Sequence, residues 1–398
     1  MTSEAEARAA GSSAKLPIGA LSAFAIVVLI GCLTETLPAG VLLPISADLQ
    51  VSESQAGQLV SVYAISTAAT SVPLTALTRR LPRRALLLGL ILGFAVVNGI
   101  TAISPWYPLT LVARVLAGAV SGVMWAMIAG YAMRIVPAER AGRALAIAMV
   151  GTPIGFAIGV PAGTVLGELI GWRYAFGAMA VITAALVGWV LWQVPPLSGQ
   201  PAQHRTNTLE VLATRGFPAL LATTFALVLG HNVLYTYIAP VLAAAGRVES
   251  LSAVLLVFGV ASVLGIWVVG ALIDRRLRLL ILSSALVIGV AVSLIGIAAA
   301  LPVVLFASVA LWGLAFGGAP TMFPAAAARV AGRDGDVAQS LTITVWNVAI
   351  AAGAYLGGAA LDLAGDAAPL PWITAALALL SLLIYAVFTA DRPPRSAR

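Results

Sequence analysis

Apolar residues in this chain come in runs of about 20, the helix length that crosses the hydrocarbon core of a bilayer. Such runs lie near 17–44, 54–77, 85–103, 107–131, 142–166 and 174–194, and again near 216–245, 250–273, 279–299, 302–327, 337–361 and 371–390. The longest polar stretch between runs is PPLSGQPAQHRTNTLEVLATR (195–215). The pattern predicts an all-α integral membrane protein of twelve transmembrane helices. It divides into an N-terminal tail (1–16), a six-helix half (17–194), a linker (195–215), a second six-helix half (216–390) and a tail (391–398). The first run is too long for a signal-peptide core and has no evident cleavage pattern, so it reads as an uncleaved span.

The two halves repeat at an offset of 196 residues. Pro44 matches Pro240, Thr78-Arg79 matches Asp274-Arg275, and Gly122 matches Gly318, each at the same place in the span pattern. Two parallel halves of six spans, with a mid-membrane site between them, form a known arrangement of transporters.

Composition supports a lipid solvent, with 61% hydrophobic and only 9% charged residues, against about 25% charged in soluble chains. The net charge of +7 does not indicate nucleic acid, because the basic residues sit in short clusters between apolar runs. All but three of the 22 Lys and Arg residues (the exceptions are Arg114, Arg173 and Arg247) fall on one side if the N-terminus is cytoplasmic. That bias places both termini in the cytoplasm. Lys15 is the only lysine, a preference for arginine that reads as GC-rich bacterial coding, and so points to the bacterial cytoplasmic (inner) membrane. With one cysteine, Cys32, and two histidines, His204 and His231, no disulfide framework, metal site or cofactor is expected. No phosphate-cradling loop or Ser/His/Asp set suggests an enzyme, and no soluble output domain suggests a sensor.

The segments ETLPAGVLLPISADLQVS (35–52), AGQLVSVYA (56–64), GWRYAF (171–176) and LYTYIAP (234–240), with the glycine run of the fifth span, resemble the major facilitator superfamily over essentially the whole chain. Within it, the chain is similar to the twelve-span drug:proton antiporters, especially the bacterial branch of sugar-efflux and chloramphenicol-efflux proteins. The resemblance implies the major facilitator fold, two pseudo-symmetric halves that give access to each side of the membrane in turn. It also implies export of a small neutral or amphipathic molecule (a drug, sugar or nucleoside) against inflowing protons, by a monomer in lipid. Uptake or facilitated diffusion of a small metabolite is the alternative.

In GTPIGFAIGVPAGTVLG (151–167), Gly151, Gly155, Gly159, Gly163 and Gly167 recur every fourth residue, with Pro153 and Pro161 among them. Small residues at that spacing let a second backbone approach closely. Each step of four also rotates by about 40°, so the glycines are expected to wind round the helix and meet a partner from the other half. The run matches the family's antiporter motif, although its usual Gly-Pro pair is not intact. The family's loop motif survives as Gly270-Ala-Leu-Ile-Asp274-Arg275 and has decayed in the first half to TRRLPRR, with Thr78 in the aspartate's place. It implies a charge latch at Asp274 and Arg275.

Glu35 is the one acid placed well inside a span. An ionised carboxylate at the bilayer centre costs about 2.5–3.5 kcal/mol, and protonation relieves that cost. Arg114, in RVLAGAVSG, resembles the family's arginine in the fourth span. It lies roughly 9 Å in from Pro108, and Glu35 roughly 13–14 Å in from Pro44 on the same side. A Glu35–Arg114 relationship, direct or through water, is therefore expected to carry proton coupling. His231, 196 residues after Glu35, is a third candidate, since imidazole titrates near physiological pH. Asn232, Tyr235, Tyr237, Trp346, Asn347 and Trp125 are the candidate ligand-binding groups, as aromatic and amide side chains near mid-membrane suit an uncharged molecule.

Overall fold

The computed structural model describes residues 16–78, 80–137, 140–199, 208–331 and 335–390. Most of both tails, residues 200–207 of the linker, and the basic residues Lys15, Arg79, Arg205 and Arg333 lie outside the described residues. Among the described residues every regular element is helical.

Helix α1 runs Ile18–Gly40 and continues, past a break at Val41, as Leu42–Leu49. It is followed by α2 (Glu53–Thr78), α3 (Arg83–Ile103) and α4 (Tyr107–Arg134). Helix α5 is built in pieces, Ala141–Met149, Gly151–Ile154, a wide π turn Gly155–Gly159, and Val160–Ile170. Then come α6 (Trp172–Gln193) and α7, which is Phe217–Thr236 continued as Ile238–Ala244. The helix Leu251–Ala298 contains α8 (251–275) and α9 (277–298), which meet at the non-helical residue Arg276 (φ −132°, ψ 26°). Last are α10 (Pro302–Gly317 and Ala319–Ala331), α11 (Gly335–Ala364) and α12 (Pro369–Ala390).

Two places differ from a simple count of apolar helices. Where the sequence predicts a loop between α8 and α9, the chain turns at one residue, inside the cluster Arg275, Arg276 and Arg278. Among the described residues ten helices are long and apolar enough to cross a bilayer, with α8 and α9 counted as one. Glu53–Thr78 is not among them. It nevertheless packs along α4 and α11 as a crossing does.

The repeat has a physical mark. Val41 (φ −121°, ψ 26°) and Tyr237 (φ −111°, ψ 26°) break α1 and α7 with nearly the same backbone angles, 196 residues apart. Each precedes a proline by three residues, Pro44 or Pro240. A proline ring clashes with the carbonyl four residues earlier, here Gly40 or Thr236, and the helix opens just past it.

The two sets of helices meet along three seams, α2 with α11, α5 with α8, and α1 with α7. The glycine run of α5 does not serve the α5–α8 seam, contrary to the expectation from its spacing. A methyl group on Gly151, Gly155, Gly159, Gly163 or Gly167 would meet α1 of the same half, at Ala25/Leu29, Cys32, Leu33, Leu37 and Val41 in turn. The stripe holds to one neighbour because the π turn, in which Val160 N–H donates to Gly155 O, takes out part of the rotation that a regular helix accumulates. The other face of α5 meets α8 through Gly259, whose missing side chain admits the Phe156 carbonyl and Ala157 Cα. Pro161 has no N–H to offer that carbonyl in the widened register, which leaves it turned to the neighbouring helix. Gly259→Leu is expected to lower the unfolding midpoint in detergent by the overpacking cost of about 1–3 kcal/mol. Gly89→Leu faces open space and is expected to leave it unchanged; equal effects would show that the close approach carries no stability.

Candidate functional site

The carboxylate of Glu35 sits on α1 between Thr34 and Pro38. Pro38 has no N–H, so the Thr34 carbonyl lacks its donor one turn ahead. Arg114 of α4 fills that place. Its Nη1 donates to Thr34 O, its Nη2 to Glu35 O at 3.4 Å, and its Nε to Leu59 O of α2 at 3.0 Å. The guanidinium carbon lies 4.6 Å from the Tyr63 ring centroid, a cation–π contact. The arginine is 1% exposed, so one side chain ties α1, α2 and α4 together.

Glu35 is half-buried. Its carboxylate is not in an ion pair with Arg114; the ion pairs among the described residues are Arg173–Asp48 and Arg329–Asp274. The expected Glu35–Arg114 relationship is thus made through the backbone of α1, with the two charges still in electrostatic range. The site holds a fixed buried cation beside a carboxylate that keeps access to its surroundings, and beside it Thr34 and Asn98 form a buried polar pair at 3.0 Å.

His231 lies on the opposite half in an aromatic enclosure. Its ring stacks on Phe316 of α10 at 3.5 Å and 9°, and neighbours Tyr235 (5.2 Å), Trp312 (5.3 Å) and Phe258 of α8 (5.7 Å). Trp346 of α11 adds an edge 6.0 Å from Phe316, and Phe156 of α5 reaches Tyr235 at 6.4 Å across the seam between halves. His231 Nδ1 and Trp312 Nε1 are buried without a hydrogen-bond partner among the described residues. Among the described residues, Nδ1 of His231 thus has no hydrogen-bonded route for a proton.

The other candidates separate. Asn232 and Asn347 turn their amides onto their own helices, to Val228 O (2.9 Å) and Ile343 O (3.0 Å). Trp125 is half-buried and packs against the core. Tyr237 belongs to a seam rather than to the mid-membrane groups, since its hydroxyl donates to Ala354 O of α11 at 2.8 Å and lies 3.4 Å from Ser54 O. Glycines 57, 357 and 358 make room for its ring. Nearby, Ser252 Oγ of α8 donates to Glu168 of α5 at 3.0 Å. These contacts hold the two halves together at the end of the bundle opposite the termini.

The basic residues at odds with the charge bias each have a partner. Arg173 pairs with Asp48, donates to Ser104 O at 2.7 Å and lies over the Trp172 ring; Trp172 Nε1 donates to Asp48 at 2.9 Å. Arg247 donates to Ala300 O at 2.9 Å, just past the end of α9. At the other end, Asp274 accepts from Arg329 of α10 at 3.3 Å, and Arg329 also reaches Ile273 O. Gly270 faces open space, and Arg275 is exposed.

Phe156, Phe258, Trp312, Phe316 and Tyr63 escaped the sequence reading. Trp312 and Phe316 would be found by pairing rings one turn apart, as His231/Tyr235 also are, because such pairs share a helix face; Phe156 and Phe258 have no ring one turn away.

Comparison with known proteins agrees with this architecture. The chain is 30% identical over 368 residues to the purine ribonucleoside efflux pump NepI of Escherichia coli K12, covering 91% of this chain and 93% of the pump. The NepI pump of Shigella boydii serotype 4 is 31% identical over 372 residues. The crystal structure of a bacterial homologue of the human lysosomal transporter Spinster, inward-facing and unoccupied, superposes with a TM-score of 0.73 at 13% identity, over 96% of this chain and all of that one. The profile of the Major Facilitator Superfamily matches residues 24–338. With its two sets of helices, matched breaks and three seams, this multi-pass membrane chain belongs to the Major Facilitator Superfamily.

Proposed function

We propose that this chain exports a purine nucleoside, or a small neutral molecule of that kind, in exchange for protons. The observation that carries this reading is the identity to nucleoside efflux pumps along nearly the full length of both chains. The relatives narrow the range that the sequence left open among drugs, sugars and nucleosides. Glu35 is the proton carrier, half-buried beside the fixed charge of Arg114. The end bearing the termini is cytoplasmic, by the distribution of Arg, in the bacterial inner membrane. The Gly259 contact of α8 with α5 is a surface on which the halves rock, and the glycine-lined contact of α5 with α1 holds α5 within its own half.

Everted membrane vesicles test this directly. With an acidified lumen they are expected to accumulate radiolabelled inosine when the protein is present, and to release it when a protonophore collapses the gradient. Accumulation indifferent to the protonophore would remove proton coupling, and absence of nucleoside movement in either direction would remove the substrate class.

A further inference from the structure

The aromatic enclosure of α7, α8 and α10 surrounds two polar atoms that it does not satisfy. His231 is 4% and Trp312 1% exposed, and His231 Nδ1 and Trp312 Nε1 make no hydrogen bond among the described residues. Buried polar groups are nearly always paired, and one left unpaired carries its full desolvation cost. Two of them in neighbouring rings, 5.3 Å apart between centroids, point to a partner that arrives from outside the chain.

We propose that this enclosure is the site for the base of a purine nucleoside, an assignment that rests on the nucleoside reading above. The surrounding rings of Tyr235, Phe258, Phe316 and Trp346 supply stacking faces, which suit any flat heteroaromatic ring. The polar pair supplies the selection. An indole N–H only donates, so the ligand must present an acceptor to Trp312; an imidazole nitrogen donates or accepts according to its tautomer. One edge of a purine meets both demands, with the N7 acceptor next to a carbonyl or amino group at position 6. A pyrimidine has no ring nitrogen at the place of N7.

The enclosure is closed by Phe316, whose ring lies parallel to the imidazole. Phe316 stands on the last turn of Pro302–Gly317, directly before the chain leaves the helix at Gly318. A bend at that break lifts Phe316 from His231, opens the stacking face to the base and frees the imidazole to turn its Nδ1 edge. The enclosure then loads from the seam between halves, where Phe156 already touches Tyr235.

The test is equilibrium binding to the full-length protein in nanodiscs, with inosine, 7-deazainosine and uridine as probes. Inosine is expected to bind the wild type about tenfold more tightly than 7-deazainosine, which lacks only the N7 acceptor, and uridine more weakly than inosine. In Trp312→Phe the preference for inosine over 7-deazainosine is expected to vanish, because the donor is gone while a ring remains. A variant that weakens both probes alike would show that Trp312 only packs, and would overturn the N7 contact. Wild-type protein that binds inosine and 7-deazainosine equally would overturn the base site and leave the nucleoside reading standing. Binding of none of the three would overturn both.

Discussion

Glu35→Gln is expected to abolish gradient-driven nucleoside accumulation while leaving nucleoside exchange across the membrane intact. The amide has nearly the shape of a protonated carboxyl group but cannot ionise. A transporter that needs the carboxylate to release its proton on one side and regain it on the other stalls in the coupled cycle. Exchange of labelled for unlabelled nucleoside asks only that the loaded protein change its access, and the neutral side chain permits that. The surroundings favour this outcome. Glu35 is half-buried rather than sealed, it is free of a direct ion pair among the described residues, and its neighbouring cation is held by backbone carbonyls. Accumulation in everted vesicles should fall by about a hundredfold or more, the scale on which loss of a proton-transferring side chain slows the step that needs it. Counterflow without a gradient should stay close to that of wild type, because it includes no proton-transfer step. Accumulation that survives the substitution would remove Glu35 from coupling. Loss of counterflow as well would assign Glu35 to substrate binding or folding.

Much of the fold was legible because a bilayer turns structure into a problem along one line. Run length sets the crossings, charge sets the sides, and proline sets the breaks, as Val41 and Tyr237 show. Even there the limits are physical. The chain passes from α8 to α9 at the single residue Arg276, so run length alone draws a loop where there is only a turn. What a linear pattern does not hold is the identity of neighbours. The fourfold glycine spacing announced a close approach, yet α1 rather than the other half fills it, because a π turn resets the face. The real approach between α5 and α8 depends on the single Gly259. Similarly, charge and depth placed Arg114 near Glu35, but the acceptors it chose follow from Pro38, four residues after Thr34. The aromatic enclosure assembles from α7, α8 and α10, and a one-turn ring pair marks only α7 (His231/Tyr235) and α10 (Trp312/Phe316), while Phe258 joins from α8 with no such pair.

The second large effect concerns Arg114 and Pro38, whose roles are coupled through one carbonyl. Arg114→Leu is expected to destabilise the protein, since it leaves the buried Thr34 carbonyl without a donor, at about 1–3 kcal/mol for a carbonyl left unpaired, and it also removes the links from α4 to Leu59 O and Glu35 O. Arg114→Lys should recover little, because an ammonium does not present the planar fork that reaches α1 and α2 together. Pro38→Ala acts on the other side of the same account by returning an N–H to the Thr34 carbonyl. Alone it duplicates a bond that Arg114 already makes, and little stability should change. In the Arg114→Leu background it supplies the missing donor and should restore about 1–3 kcal/mol, the cost of one orphaned carbonyl. The cycle is therefore expected to be non-additive, as it is for residues that share a partner, when read from denaturation midpoints of the four proteins in detergent. If Pro38→Ala has the same effect with and without Arg114, the two do not meet at that carbonyl. The double variant also separates structure from coupling. Its backbone is satisfied again, but the cation beside Glu35 is gone, so recovered stability with gradient-driven transport still lost would place Arg114 in the proton cycle itself. Transport that returns with stability would make Arg114 a brace for the helix that Pro38 disrupts.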